Sequence, residues 1–197
     1  SHSHPDHWFG TSVFEGEKIY AIKEVISELD EIGAESIERN RQALGDLVPT
    51  QEEAVLPNLI LDEGDFEVDG VTIRVAKVAD TESSFITTLE LVEQGVIITQ
   101  DIVYNDIHLF VAQQELENWK EVLANLNGRD WNLILPGHGL PTNTDVFIHM
   151  IDYLNLAQET LGKVETFSQY KKAMMTSFPD YMGEVLIDLN EPFLGLK

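Results

Sequence analysis

Ser1-His2-Ser3-His4-Pro5-Asp6-His7, followed by Trp8-Phe9-Gly10, gathers three of the chain's six histidines and a carboxylate into one short stretch. Packing seldom demands imidazole at that density. In extended chain, side chains two residues apart point to the same side, so His2 and His4 can hold one cation while Asp6 and His7 turn toward a neighbouring one. Neutral imidazole and carboxylate suit Zn(II), Fe(II) or Mn(II). A Ser-His start also resembles a cloning remnant, but Pro5-Asp6-His7-Trp8-Phe9-Gly10 is not how such a remnant continues.

Two later stretches carry the same chemistry. Val96 to Val103 is rich in β-branched residues and reads as a strand, with Val96-Ile97-Ile98 expected to be buried on both faces and Asp101 near its end. Asn132-Leu133-Ile134-Leu135 reads as a short buried strand that enters the loop Pro136-Gly137-His138-Gly139. Between them, Leu116, Trp119, Val122, Leu123 and Leu126 follow helical spacing and stop at Gly128.

The rest of the chain supports these elements. Ile22, Val25, Ile26, Leu29 and Ile32 mark an amphipathic helix within Lys18 to Leu47, with a break expected near Gly33. Phe66 to Val75 alternates around Asp69-Gly70 and predicts a hairpin. Phe85 to Val92 pairs with the strand from Val96 through Glu93-Gln94-Gly95. Beyond Thr144 a long helix follows, and Phe167 to Met175 gives a shorter one stopped near Pro179. This order of helix, strands, helix, strand and helices predicts a layered α/β (α+β) domain with the sheet inside.

Composition narrows the function. The chain has 197 residues, 43% of them hydrophobic, and 12 Lys+Arg against 35 Asp+Glu, for a net charge of −23. Such a surface repels phosphate backbones and anionic lipid heads, so neither nucleic acid nor membrane is an expected partner, and a small-molecule substrate is. With no cysteine, a thiolate zinc site and a cysteine nucleophile are both excluded. No apolar run approaches the roughly 20 residues of a membrane span. Nothing in the composition assigns a compartment.

His2, His4, Asp6 and His7, then Asp101 ninety-four residues after His7, then His138 thirty-seven after Asp101, together resemble the metallo-β-lactamase superfamily. The resemblance covers essentially the whole chain, 1–197, as one metallo-β-lactamase-like domain. It implies an αββα sandwich with a one- or two-metal site at one edge of its sheets. His2 and His4 would hold the first of two divalent ions, with Zn(II) expected and Fe or Mn as the alternatives. Asp6, His7 and His138 would hold the second, and Asp101 would bridge.

The family's remaining histidine, in a turn before a strand, has no counterpart here. Asp80, in Val78-Ala79-Asp80-Thr81-Glu82-Ser83, stands in its place and is expected to ligate, with Glu82 as the less favoured substitute. A carboxylate there makes the first site harder and shifts preference toward Mn(II) or Fe. The family also places several strands before its histidine motif. The chain shows none of them, so an N-terminally incomplete fold is expected, with a companion chain or a second copy supplying the missing strands.

The activity that the resemblance implies is metal-dependent hydrolysis by a metal-activated hydroxide of an ester, thioester, lactone, lactam, or phosphate or sulfate ester. Asp6 would orient the nucleophile. A non-catalytic binding protein with a degenerate site and a mononuclear iron oxidative enzyme are the competing readings. His108 is expected to pack on aromatics rather than line the substrate mouth, and His149 to be a surface or packing residue. Trp8, Phe9 and Phe14 are read evenly as pocket wall or core.

Overall fold

A computed structural model describes residues 1–14 and 16–197. Its centre is a five-stranded sheet in the order β3-β4-β5-β6-β7. The strands are β3 (Gly64–Val68), β4 (Val71–Ala79), β5 (Phe85–Leu91), β6 (Val96–Tyr104) and β7 (Leu133–His138). The first four run antiparallel in sequence order, whereas β6 and β7 are parallel. A parallel pair needs a crossover, and α2 (Leu116–Asn127) supplies it. The β3–β4 hairpin turns at Asp69 and Gly70, both at positive φ (50° and 82°), as a tight two-residue turn requires.

Strand register assigns every side chain to a face. Val78, Ile86, Ile97 and Ile134 point to one side, where α2 and α3 (Asp145–Leu161) close over them together with Trp119, Leu123, Phe147 and Leu154. Phe66, Val68, Val71, Ile73, Val75, Leu89, Leu91, Val96, Ile98, Leu133 and Leu135 share the other side. There α1 (Lys23–Leu44) and Trp8 cover only the end around Val75, Phe85 and Leu89.

Val68 therefore remains 46% and Leu133 37% exposed. For the same reason the expectation for Val96-Ile97-Ile98 is corrected, since Ile97 is buried but both its neighbours are only half-buried. The second sheet of the expected sandwich consists, among the described residues, of two short parallel strands, β1 (Tyr20–Ala21) and β2 (Leu59–Ile60).

Helix α1 runs unbroken past Gly33. The glycine sits where Trp8 packs, and a side chain there would meet the indole at 3.7 Å. Helix α4 (Phe167–Ser177) begins with a capping box between Thr166 and Gln169. A last short helix, α5 (Glu184–Leu189), follows a stretch read only as a helix stop. In that stretch Phe178 and Tyr181 stack on Tyr153.

Candidate metal centre

The strands bring four segments to one sheet edge: the N-terminal loop, the β4–β5 connection, the end of β6 and the end of β7. The loop is fastened before its histidines act. Ser1 O accepts from Thr87 N at 3.0 Å, and the buried Trp8 indole donates to Ser3 O at 3.0 Å. Pro5 opens a single 3-10 turn, Pro5–His7, which brings the His7 ring within 4.0 Å of the His2 ring, centroid to centroid.

On β6, register slips on either side of Gln100, which adopts φ 51°. An irregularity of this kind re-aims the residues that follow, here Asp101. Pro136-Gly137-His138-Gly139 owes both glycines to close approach. A Cβ on Gly137 would collide with Asp101 Oδ1, and one on Gly139, at φ 98°, with the Asn105 carbonyl.

Two groups of donors result, each with two imidazoles and two carboxylates within 4.8 Å of one another: His2, His4, Glu82 and Asp101, then Asp6, His7, Asp101 and His138. Asp101 belongs to both. His4 Nδ1 is 2.8 Å from Glu82 Oε1, and His2 Nε2 is 3.5 Å from Glu82 Oε2. In the second group His7 Nε2 is 3.1 Å from Asp101 Oδ1, and His138 Nε2 lies 3.2 Å from Asp101 Oδ2 and 3.3 Å from Asp6 Oδ2.

The correction concerns Asp80. It is exposed, lies at φ 53° in the turn after β4, and belongs to neither group; its carbonyl accepts from Asn118 Nδ2 at 2.7 Å. Glu82, two residues further into the loop and 1% exposed, occupies the fourth position. The longer side chain reaches the histidines from a residue that the loop has turned inward.

The donor chemistry fits divalent cations. His2 Nε2 and Glu82 Oε2 are buried without a hydrogen-bond partner. Orphans of this kind cost about 1–3 kcal/mol each, and a cation would satisfy both. Electrostatics agree. Burial pushes the His2 pKa down to about 2, which keeps the ring neutral as a ligand must be. Burial also lifts Glu82 to about 7, against the pull of His4.

Asp101 stays well below the usual carboxylate range, because hydrogen bonds from His138 and His7 outweigh its burial. Contacts with Asp101 and Asp6 raise His138 to about 10, and against burial they raise His7 to about 9. With no cation present these two rings are protonated at neutral pH.

Two residues escaped the sequence reading. Ser1 Oγ meets Nδ1 of His7 at 2.9 Å and of His2 at 3.2 Å, which leaves Nε2 of each ring facing the carboxylates. The fully buried Tyr104 hydroxyl lies 3.2 Å from Asp101 Oδ2 and 3.4 Å from Glu82 Oε1, and its ring stacks on His138 at 4.8 Å. Burial beside those two charges raises the Tyr104 pKa, so it remains a donor. In a regular strand residues three apart face opposite ways, and only the distortion near Asp101 brings Tyr104 back, so no sequence signal marks it.

The other candidates lie elsewhere. His108 is buried among Tyr153 and Tyr181, and His149 is exposed on α3. Trp8 is core, Phe9 half-buried beside it and Phe14 exposed.

No protein-family model and no curated protein matches the sequence. Solved structures do. A β-lactamase domain protein from Burkholderia ambifaria superposes with TM-score 0.67 and 22% identity, over 96% of this chain and 65% of that one. A metallo-β-lactamase family protein from Thermus thermophilus gives 0.64 and 19%, over 94% and 70%. A metallo-β-lactamase from Pontibacter korlensis gives 0.59 and 15%, over 78% and 66%. The chain thus spans about two thirds of the length of these structures. Identities this low carry no activity across, but the shared path of the chain states the architecture: this chain has the metallo-β-lactamase fold.

Proposed function

We propose that the protein is a metal-dependent hydrolase with two divalent cations, the first held by His2, His4, Glu82 and Asp101, the second by Asp6, His7, Asp101 and His138. The supporting observation is that two four-donor groups share one buried carboxylate while His2 Nε2 and Glu82 Oε2 are buried without a hydrogen-bond partner. Paired divalent cations supply Lewis acidity that activates water near neutral pH and polarises the substrate's reacting oxygen.

The chain's own groups do the rest. Asp6 is the one carboxylate of the set that opens to solvent, 53% exposed. Hydrogen bonds from His138 and His7 overcome the effect of burial and keep it ionised. There it orients the attacking water. Tyr104 fixes the two buried carboxylates from beneath, and Ser1 fixes the two rings from outside.

The test is reconstitution with Zn(II) or Mn(II), followed by an ester, lactone, thioester and phosphodiester panel. Turnover is expected in the parent, and Asp101→Ala and His138→Ala each lose it with circular dichroism unchanged. Two bound cations with no turnover of any compound would leave a binding protein, and oxygen consumption with iron would point to oxidative chemistry.

A further inference from the structure

An aromatic row leads from the first donor group to the surface. Phe110 stands edge-on to His4, centroids 5.4 Å apart and planes at 87°. Phe193 stands edge-on to Phe110 at 6.0 Å and 84°. Exposure rises along the row, from the 22% of the His4 side chain through a half-buried Phe110 to Phe193 at 52%.

Long-range contacts build this row. The fully buried Asn190 accepts Val111 N–H on Oδ1 at 2.6 Å and donates from Nδ2 to Leu109 O at 3.1 Å and Leu186 O at 2.9 Å. One amide therefore ties both neighbours of Phe110 to α5. The turn after α5 carries Phe193, whose N–H bonds the Asn190 carbonyl at 3.0 Å and whose carbonyl accepts from Gln114 Nε2 at 2.9 Å. Both rings are held in fixed relation, an arrangement that an incidental surface phenylalanine does not need.

Charge limits what the row serves. Among the described residues, Asp6, Glu82 and Asp101 pair only with histidines, and no lysine or arginine reaches them. A phosphate or sulfate ester would therefore find no lysine or arginine paired to the donor carboxylates to help hold it, on a chain whose net charge is −23.

We propose that the substrate is a neutral carboxylic ester, open or cyclic, whose apolar acyl chain lies along Phe110 and Phe193 with its carbonyl beside His4. The inference rests on the hydrolase reading above. Water oxygen bonds to the carbonyl carbon, the acyl C–O bond breaks, and one water proton passes to the departing alkoxide. The products are an acid and an alcohol, and no further reactant is needed.

The experiment uses the Zn(II)-reconstituted chain with p-nitrophenyl acetate, butyrate, hexanoate and octanoate, beside bis(p-nitrophenyl) phosphate and p-nitrophenyl sulfate. Titration calorimetry with acetohydroxamate and octanohydroxamate reads the row without turnover. The parent is expected to gain about two- to fourfold in kcat/KM per added methylene, as burial of a CH2 allows. It should also bind octanohydroxamate at least about tenfold tighter than acetohydroxamate.

Phe193→Ala should cut the octanoate-to-acetate ratio about tenfold and narrow the hydroxamate gap, and Phe193→Leu should restore most of both. Ester turnover with no chain-length dependence, or faster turnover of the phosphate or sulfate than of any ester, overturns the inference and leaves the hydrolase reading standing. No turnover of any compound, with the hydroxamate preference intact and lost in Phe193→Ala, supports the acyl row and overturns the hydrolase reading instead.

Discussion

The two donor groups have the same composition and opposite surroundings. His2, Glu82 and Asp101 of the first are buried, and its only part-open ligand, His4, is backed by Phe110. The second opens through Asp6 and through His138. Buried ligands with fixed partners favour tight, slowly exchanging metal, whereas open ones leave room for substrate and water. On the proposed two-cation reading the same kinds of donor divide the work by burial, the first group anchoring and the second meeting solvent, with Asp101 joining them.

Substitutions can break this division. The largest effect belongs to Asp101→Ala, which removes the shared carboxylate: both cations and all turnover are expected to go, read by elemental analysis and assay. Next come Glu82→Ala and His138→Ala, each expected to lose one cation and keep the other, with the Glu82 variant losing the tighter one. If His138→Ala emptied both groups, the division would be wrong.

Tyr104→Phe keeps every ligand and removes one phenol from beneath them. About a 10- to 100-fold weaker metal affinity is expected, as for other outer partners, measured by chelator competition. Acid should act more on the open group. His7 and His138, raised to about 9 and about 10 by their carboxylates, must each shed a proton to bind metal. Occupancy of the second group, where both rings are raised, is therefore expected to fall first as pH is lowered, since in the first group only His4, raised by Glu82 against its burial, competes for a proton and His2 is neutral. Asp80→Ala is the smallest, with no change in metal content, and a lost cation there would reinstate Asp80 as a ligand.

Much of this was legible in the sequence, for reasons that differ by element. The Asp69-Gly70 hairpin, the stripe from Leu116 to Leu126 and the Thr144 helix were readable because local geometry and periodicity determine them. His2, His4, Asp6 and His7 were readable because such density has little other use, and Asp101 and His138 through the spacing of a known pattern. Glu82 was misplaced in favour of Asp80 because the direction of a loop side chain depends on turns set elsewhere, here by Asn118 on α2. Tyr104 was invisible because its contact depends on a register slip. The half-burial of Val96 and Ile98 reflects how much of one sheet face α1 covers, which no local pattern encodes.

Metal content per chain tests the central claim most directly. The protein would be reconstituted with excess Zn(II), freed of loose metal and analysed beside Glu82→Ala and Asp101→Ala. Two bound ions in the parent, one in Glu82→Ala and none in Asp101→Ala are expected from two groups that share a carboxylate. A single ion in the parent that survives Asp101→Ala would contradict the shared centre.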